Sequence, residues 1–522
     1  MRFSSLKFVW LLLFVMALQA CHEKQANPNT ALTLETFSDM KTPSYAVSSR
    51  AIREKIDGLM KSDDDSMMAD LRARSYYLNH GNFMWIDRHG ADSRADTLCA
   101  YLKQVGRMGL NPSRFRANQI EADLKRLRNL DFDDHNGIND VLGRLEYNLT
   151  KAYLRYVTGQ RFGFVNPQYV FNRIDVMDSD SVRVTHRDLF DIPMERADRA
   201  FYAMAFRKIA NDSVACFLRS VQPKSPLYTQ LQQRLATATT KAERAKILCN
   251  MERCRWRLKA YPSQFRKYVL VNIPSFRLRA IDHSDTLSMR IGCGSFQTKT
   301  PLLTSRIERM DVNPQWIIPR SIIKKDVIHH VGNRAYFESR HFFVRERKTG
   351  KKVDISRVSR SMLESNDYLV IQEGGKDNSL GRIIFRFKNS FSVFMHDTSS
   401  RDIFSRDDRG VSHGCVRVER PFLLAVYMLS EKDEETIDKI KYSMTADISS
   451  ESKKGPGYNG DALAEVDTLD HSRLIGSLSV KPQVPLFITY FTLYPDNAGR
   501  LVEYADVYGY DRVIFNILKN YM

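Results

Sequence analysis

The residues best suited to chemistry are a histidine and, fifteen residues further on, a short segment that contains a cysteine. His396 is followed by residues 397–411 and then by segment 412–417, which reads Ser-His-Gly-Cys-Val-Arg. The nucleophilic form of cysteine is the thiolate, and a nearby imidazole lowers the thiol pKa and carries its proton. Gly414 lets a substrate approach the backbone and leaves amide N–H groups for an oxyanion. This combination predicts acyl transfer with Cys415 as nucleophile and His396 as base.

A structural interpretation of the same residues is a buried thiol beside two histidines, His396 and His413, that only satisfy hydrogen bonds. The complete string 412–417 with its upstream histidine favours catalysis over that interpretation. The alternation of side chains in a predicted strand over 391–396 places His396 at a strand end, where we expect it to face a cleft. A papain-like protease is disfavoured, since in those enzymes the cysteine precedes the histidine along the chain.

The histidine and the cysteine lie in a β-rich half of the chain that begins near residue 266. Short runs rich in β-branched and aromatic residues alternate with turn residues, which predicts strands. A helix is expected after Pro421, because proline suits the first helical turn. The predicted strands are 267–273, 368–372, 382–387, 391–396 and 486–493, with a hairpin over 343–353.

Residues 46–256 have helical periodicity instead. Leu98, Leu102 and Val105 follow the i, i+4, i+7 spacing of a buried helix face, and Gly109 lies where that helix should end. No catalytic combination of residues is visible in this half, so its apolar stripes are interpreted as packing faces. The predicted fold class is α+β, with a helical domain followed by a β-rich domain.

The string from His396 to Arg417 resembles the signature of YkuD-like L,D-transpeptidase domains. The similarity to the larger, YcbB-like members of that family covers most of residues 65–515 and is strongest over 266–425. The other stretches that carry it are 250–256, 271–274, 298–301, 313–319, 395–398, 404–409 and 490–492, with 109–112, 159–161 and 166–167 in the helical half.

The resemblance implies a domain organisation. A helical scaffold domain is expected over 46–256, and a β-rich L,D-transpeptidase catalytic domain over 266–435, completed by residues 436–522. Residues 320–366 resemble an inserted capping subdomain that covers the donor peptide. Related proteins often carry a small helical peptidoglycan-binding module, but residues 213–250 are too short and too unlike it.

The resemblance also implies a reaction on peptidoglycan stem peptides. Cys415 would attack the carbonyl of the third residue of a tetrapeptide stem and expel D-alanine. A side-chain amine of another stem would then take the acyl group, which gives a 3→3 cross-link. His396 would act as the base, and amides near Gly414 and Cys415, with His413 nearby, would hold the oxyanion.

Three further residues are expected to bind substrate, namely Ser412, Trp316 and Arg417. Arg417 could fix a substrate carboxylate or brace the loop, and either Asp397 or a backbone carbonyl could orient His396. Neither a metal nor another cofactor is implied. Carbapenem β-lactams are expected to inhibit the protein by acylating Cys415.

Two other functions are compatible with these residues. The acyl-enzyme could pass its acyl group to water, which would make the protein an L,D-carboxypeptidase or hydrolase, since the acceptor depends on pocket shape. A non-catalytic wall-binding lipoprotein is the alternative from another class, and the complete motif disfavours it.

The N-terminal residues indicate export. A basic start and a short apolar run precede the lipobox-like sequence Leu-Gln-Ala-Cys at 18–21. Residues 1–21 are therefore predicted to be a lipoprotein signal peptide with lipidation at Cys21. The polar residues 22–45 predict a tether. The expected location is the periplasmic side of a membrane in the cell envelope, and export disfavours nucleic acid as a partner for the net charge of +18.

Replacing Cys21 by serine tests the lipid anchor. Cys21→Ser should move the protein from the membrane fraction to the soluble fraction and leave its chemistry intact, because stable attachment requires acyl chains on that residue. Cell fractionation followed by immunoblotting measures this. If the variant stays with the membrane, the apolar run is an uncleaved anchor and the lipobox interpretation is wrong.

Overall fold

The computed structural model describes residues 47–87, 89–180, 183–446, 448 and 469–522. The predicted signal peptide, the tether, Cys21 and nearly all of a Ser-, Lys- and Gly-rich loop predicted over 447–466 lie outside these residues. No helix within the described ranges is long and apolar enough to cross a membrane.

The helices of the described residues are, in chain order, α1 (Ser49–Lys61), α2 (Met68–Leu78), α3 (Ser93–Lys103), α4 (Ala117–Asn129), α5 (Ile138–Phe162), α6 (Pro167–Phe171), α7 (Arg199–Ala210), α8 (Val214–Ser220), α9 (Pro226–Thr237), α10 (Lys241–Arg255), α11 (Arg320–Lys325), α12 (Arg334–Ser339), α13 (Arg360–Glu364), α14 (Pro421–Met428), α15 (Glu434–Thr445) and α16 (Tyr510–Leu518).

The strands are β1 (Ile86–Asp87), β2 (Gly90–Ala91), β3 (Val176–Asp180), β4 (Arg183–His186), β5 (Phe190–Asp191), β6 (Lys267–Asn272), β7 (Arg277–Asp282), β8 (Asp285–Gly294), β9 (Leu302–Val312), β10 (Trp316–Ile317), β11 (Phe342–Glu346), β12 (Lys352–Val353), β13 (Tyr368–Gln372), β14 (Ile383–Phe387), β15 (Met395–His396), β16 (Gly410–Ser412), β17 (Val416–Val418), β18 (Ser477–Thr489), β19 (Leu493–Pro495) and β20 (Leu501–Glu503).

The chain divides into two compact units. The helical unit comprises the described residues up to Phe164, together with Arg196–Arg257 and Phe515–Met522. The β-rich unit comprises Val165–Glu195 and Leu258–Ile514. The α+β class is therefore confirmed, with a helical N-terminal region followed by a β-rich domain.

The helical unit is organised around α5, whose side chains are buried on nearly every face. A helix that is apolar or paired on all sides belongs in the middle of its domain. Its Glu146 carboxylate is fully buried and accepts hydrogen bonds from the Tyr77 hydroxyl at 2.6 Å and from the Trp85 amide at 2.9 Å. Those bonds offset the cost of burying the charge and tie α5 to α2 and the segment before β1.

A second polar cluster fixes the turn between α1 and α2 to α5. The buried Lys151 ammonium lies 2.5 Å from the Asp63 carboxylate and 2.6 Å from that of Asp65. The Tyr147 hydroxyl also donates to Asp63, at 2.5 Å. Burial alone would raise the pKa of Asp63, but the bonds from Lys151 and Tyr147 outweigh it and hold that pKa below its ordinary value.

The β-rich unit contains a closed barrel. In the described part of the chain the largest sheet has ten strands, ordered β14-β15-β17-β8-β7-β6-β18-β9-β5, with β16 beside β8. Strand β9 also pairs with β14, so the first eight strands of that order close on themselves. Full closure leaves no free edge among these eight strands.

A smaller sheet forms a subdomain inserted between β9 and β14. Its strand order is β10-β13-β11-β12, and α11, α12 and α13 lie between these strands in sequence. Its core contains Ile318, Phe337, Val344 and Val370 among other buried side chains. The sheet extends from Trp316 to Gln372 and so includes both strands that flank the predicted capping segment, 320–366.

Two expectations from the sequence require correction. The helical periodicity does not hold throughout 46–256, because Val165–Glu195 contains three strands and clusters with the β-rich unit. Within it, β5 pairs in parallel with β9. The predicted strand 391–396 is reduced to Met395–His396, since Ser392 adopts a φ of 56°, which a regular strand does not allow.

The other strand predictions are confirmed with small changes of boundary. The hairpin over 343–353 is the β11–β12 pair, and the helix after Pro421 is α14. The expected late strand is the long β18, which pairs with both β6 and β9 in the barrel.

Removing the cation from the buried cluster should destabilise the helical unit. Lys151→Met leaves the buried Asp63 carboxylate with the Tyr147 hydroxyl and, as its remaining cation among the described residues, Arg74 at 3.3 Å, so we expect the free energy of unfolding to fall by about 3 kcal/mol. Urea unfolding of the full chain measures this. Lys103→Met is the matched control, because its ion pair with Glu121 is exposed and should matter little. Equal effects of the two variants would contradict the prediction.

Candidate active site

The site is built on the parallel pair of strands β15 and β17. Met395 lies opposite Val416 and His396 lies opposite Arg417, and the Val416 N–H donates to the Phe394 carbonyl at 3.0 Å. Met395 and Val416 are both buried in the core. Because side chains alternate along a strand, Cys415 then shares the other face with His396.

The separation on that face suits proton transfer. Cys415 and His396 are diagonal neighbours, offset by one strand spacing and two residues along the strands, which places their Cα atoms about 8 Å apart. Both side chains extend from the same face and are neighbours on it. The motif residues are thus brought together in space as well as in sequence.

His396 is a buried, neutral imidazole. It is only 4% exposed, and the ring of Phe394 packs edge-on against it at 5.7 Å between centroids. Burial and then the charge of Arg417 lower the pKa of His396 to about 4, while backbone hydrogen bonds with Asp397 and Leu380 act in the opposite direction. Its Nδ1 makes no hydrogen bond to any described residue and is therefore available to accept a proton.

The orientation of His396 comes from the backbone and not from the Asp397 carboxylate. That carboxylate accepts a hydrogen bond from the Arg382 amide at 2.9 Å and lies 3.0 Å from the Arg401 guanidinium. Both of its oxygens are thus engaged with other groups. Of the two alternatives for orienting the imidazole, the structure favours the backbone.

Cys415 is a partly buried thiol beside the base. Burial raises its pKa, whereas a backbone hydrogen bond with Phe394 and the charge of Arg417 lower it by a smaller amount. Both shifts favour the uncharged forms, a thiol and an imidazole, over a thiolate–imidazolium ion pair. An uncharged imidazole is the form in which a general base can accept a proton.

The backbone of the loop 412–415 is fixed by its own serine. The Ser412 hydroxyl donates to the Cys415 carbonyl at 2.6 Å and accepts from the Gly414 amide at 3.1 Å. Gly414 has a φ of 117°, which side-chain-bearing residues rarely adopt. Glycine is thus required at 414 by the backbone conformation of this loop.

The hydrogen bonds of this loop change the expected set of oxyanion donors. The Gly414 amide is already bonded to Ser412 and is not available to a substrate. The amide N–H groups of His413 and Cys415, by contrast, make no hydrogen bond to any described residue. They are the backbone donors of the loop that remain for a ligand, and Ser412 acts as a brace of the loop.

Two hydroxyl groups that the sequence did not single out bond the carbonyls of the same loop, and a third supports one of them. Thr298 donates to the Ser412 carbonyl at 2.6 Å, and Thr300 donates to the Gly414 carbonyl at 2.8 Å. The Tyr508 hydroxyl accepts from the Thr300 amide at 3.1 Å. Thr298 and Thr300 lie in a stretch that carries the family resemblance, but nothing local in the sequence shows that they contact a loop 114 residues away.

Cationic groups surround the loop. The Arg417 guanidinium is largely buried, which lowers its pKa, and its Nε makes no hydrogen bond to any described residue. His413 is exposed at the surface, but its ring is partly covered by neighbouring groups. This partial burial, followed by the charges of Lys325 and Arg417, lowers the pKa of His413. Lys325 ends α11, so the inserted subdomain brings a positive charge to the loop.

Trp316 lies apart from these residues. It pairs with Gln372 in the small sheet and packs against the core of the inserted subdomain. Within the described residues, no hydrogen bond or ring contact joins it to the loop 412–415. Its expected role in substrate binding stays a prediction, while its contacts in the structure are with the subdomain.

The described residues include one group of acidic side chains close enough to share a cation, namely Asp63, Asp64 and Asp65. It lies in the helical unit, and the Lys151 ammonium already neutralises two of its three carboxylates. The group is explained by that ion pair without a metal.

Comparison with known proteins agrees with this geometry. Residues 266–436 match the model of the YkuD L,D-transpeptidase catalytic domain, and residues 70–235 match that of a scaffold domain. This chain carries a scaffold domain and a YkuD L,D-transpeptidase catalytic domain. A relative in Haemophilus influenzae, named "Putative L,D-transpeptidase", is 25% identical over 321 residues. That match covers 60% of this L,D-transpeptidase-like chain and 60% of the relative.

The family assignment locates the site within the L,D-transpeptidase domain. Cys415, His396 and the loop between Ser412 and Arg417 all lie inside the matched range 266–436, as does the inserted subdomain. The late strand β18 and Tyr508 lie beyond that range, although β18 completes the barrel and Tyr508 contacts Thr300.

The neutral resting pair of this L,D-transpeptidase domain predicts how thiol reactivity depends on pH. Because burial raises the pKa of Cys415 and His396 is neutral well above a pKa of about 4, the rate of alkylation by iodoacetamide should keep rising between about pH 7 and pH 10. Peptide mass spectrometry, with Cys415→Ala as the blank, measures it. A rate that is already constant at neutral pH would show a thiolate–imidazolium pair instead.

Proposed function

We propose that this protein is an L,D-transpeptidase that forms 3→3 cross-links between peptidoglycan stems through a thioester on Cys415. The observation that carries the proposal is the register of β15 and β17. It places the Cys415 thiol, with its unpaired amide N–H, on the same face as the neutral His396 imidazole, whose Nδ1 has no hydrogen bond to a described residue. These are the nucleophile, base and oxyanion donor of acyl transfer.

The first half-reaction acylates the enzyme. The Cys415 sulfur forms a bond to the carbonyl carbon of the third residue of a tetrapeptide stem, and the thiol proton passes to His396. The carbonyl oxygen carries the negative charge until the carbon–nitrogen bond to D-alanine breaks. The departing amine takes the proton from His396, which leaves a thioester and a neutral imidazole.

The second half-reaction forms the cross-link. The side-chain amine of the third residue of another stem attacks the thioester carbonyl and gives its proton to His396. The carbon–sulfur bond then breaks, and the sulfur regains the proton. The new amide joins two third residues, and the enzyme returns to its resting state.

The charges around the loop support a stem peptide as substrate. Stem peptides carry free carboxylates, and the guanidinium of Arg417 has an Nε without a hydrogen bond to any described residue. Lys325 adds a second cation next to His413. Of the two roles open to Arg417, binding a substrate carboxylate is the one we propose, because bracing the loop would use the Nε that is left unbonded.

The cellular location belongs to the same proposal. Lipidation at Cys21 would anchor the protein to the membrane, and residues 22–45 would tether the domains on the periplasmic side. A flexible tether of that length has a root-mean-square span of roughly 25–30 Å. That distance places the barrel beyond the membrane surface, on the side of the wall.

Mass spectrometry of reactions with purified disaccharide-tetrapeptides tests the function. We expect cross-linked dimers and free D-alanine from the wild type, and none from Cys415→Ala, because that variant lacks the proposed nucleophile. His396→Ala should slow turnover about a hundredfold or more, as expected when a general base is lost.

Cys216→Ala is the control for this experiment. Cys216 is an exposed thiol in the helical unit, so its loss should leave turnover unchanged. Tripeptides without dimers would assign the protein as an L,D-carboxypeptidase. Turnover by a folded Cys415→Ala variant, checked by circular dichroism, would refute the mechanism.

A further inference from the structure

Two threonine hydroxyls lie behind the loop 412–415, and each donates to one of its backbone carbonyls. Thr298 Oγ1 bonds the carbonyl of Ser412, which also accepts from the Ser295 amide at 3.1 Å. Thr300 Oγ1 bonds the carbonyl of Gly414. Neither threonine side chain is part of the nucleophile–base pair, and the proposed reaction does not consume their protons.

Each of those carbonyls shares a peptide unit with one of the free amides. The unit that contains the Ser412 carbonyl also contains the His413 N–H, and the unit with the Gly414 carbonyl also contains the Cys415 N–H. A trans peptide unit is planar, so its C=O and N–H bonds point in opposite directions. A hydroxyl that fixes the carbonyl on one side therefore fixes the N–H on the other.

The amide of the peptide unit between these two is bonded within the loop. The Gly414 N–H donates to the Ser412 hydroxyl at 3.1 Å, and Gly414 has a φ of 117°, which glycine allows. The N–H groups of His413 and Cys415 are left without a bond to any described residue.

We propose that Thr298 and Thr300 are positioning residues that align the amide N–H groups of His413 and Cys415 on the oxyanion. The inference rests on the proposed acyl transfer at Cys415. The threonines do not touch the substrate. Their hydroxyls hold two peptide planes, and those planes present the donors at the place where negative charge develops.

Thr300 is itself held firmly, as a positioning group must be. It is fully buried, its Oγ1 accepts from the Gly294 amide at 2.8 Å, and its own amide donates to the Tyr508 hydroxyl. Tyr508 in turn donates to the Gly294 carbonyl at 2.7 Å. A Cβ at position 294 would lie 2.0 Å from the Thr298 carbonyl, so Gly294 is what allows this turn to pack against β8.

Comparing two reactions of the same thiol tests the role of the hydroxyls. Acylation of Cys415 by imipenem passes through a tetrahedral oxyanion, whereas alkylation by iodoacetamide displaces iodide and forms none. Thr300→Val should lower the maximal rate of acylation about tenfold to a hundredfold, with little change in the imipenem concentration at half-maximal rate. Its alkylation rate should stay close to that of the wild type, and intact-protein mass spectrometry follows both reactions.

Conservative and remote substitutions serve as controls. Thr300→Ser keeps a hydroxyl and should recover most of the acylation rate. Thr304, four residues further on in β9, lies at a separate cavity lined by Phe265 and Phe487, so Thr304→Val should change neither rate. Thr298→Val removes the second hydroxyl from a less buried position and provides an independent test should Thr300→Val fail to fold.

Three outcomes would overturn the inference. Acylation of both valine variants at the wild-type rate would show that the hydroxyls do not position the donors. An equal fall of acylation and alkylation would show a general disturbance of the thiol. A serine variant as slow as the valine variant would exclude the hydroxyl as the cause. A wild-type protein that is alkylated but neither acylated nor active on stems would instead refute the proposed function itself.

Discussion

The arrangement of the active site depends on one hydrogen-bonded register, that between β15 and β17. The bond from the Val416 amide to the Phe394 carbonyl sets which residues of the two strands lie side by side. A slip of one residue would turn Cys415 into the core and Val416 towards the substrate. Strand β14 pairs with β15, and β8 pairs with β17, so closure of the barrel holds this register from both sides.

The loop 412–415, which precedes β17, holds the backbone donors of the site in one conformation. Five hydrogen bonds, made by the Ser295 amide and the hydroxyls of Thr298, Thr300 and Ser412, fix its carbonyls and its Gly414 N–H. Buried polar groups are stable only when they are paired, so a loop with all inward groups satisfied has one favoured conformation. The groups left unpaired are those turned towards the substrate, which is the arrangement that preorganised donors require.

The sequence was informative where the signals are local. The strands from residue 266 onward, the hairpin of β11 and β12, and the helix after Pro421 follow from alternation and turn residues, and the family follows from the string between His396 and Arg417. The short length of β15, the strands within Val165–Glu195 and the bond from Thr300 to Gly414 could not be predicted. Each depends on contacts between residues that are far apart in sequence. Thr300 and Gly414, for example, are separated by 114 positions.

Burial shifts the pKa values of Cys415 and His396 in opposite directions, and both shifts favour the uncharged form of the side chain. It raises the pKa of the Cys415 thiol and lowers that of the His396 imidazole, so both are neutral before the substrate binds. In the proposed acyl transfer, charge on the imidazole and on the carbonyl oxygen arises only during the reaction, as imidazolium and oxyanion. The two unbonded amides of the loop would then act on a charge that is absent from the ground state, and interactions confined to the transition state are the ones that accelerate a reaction.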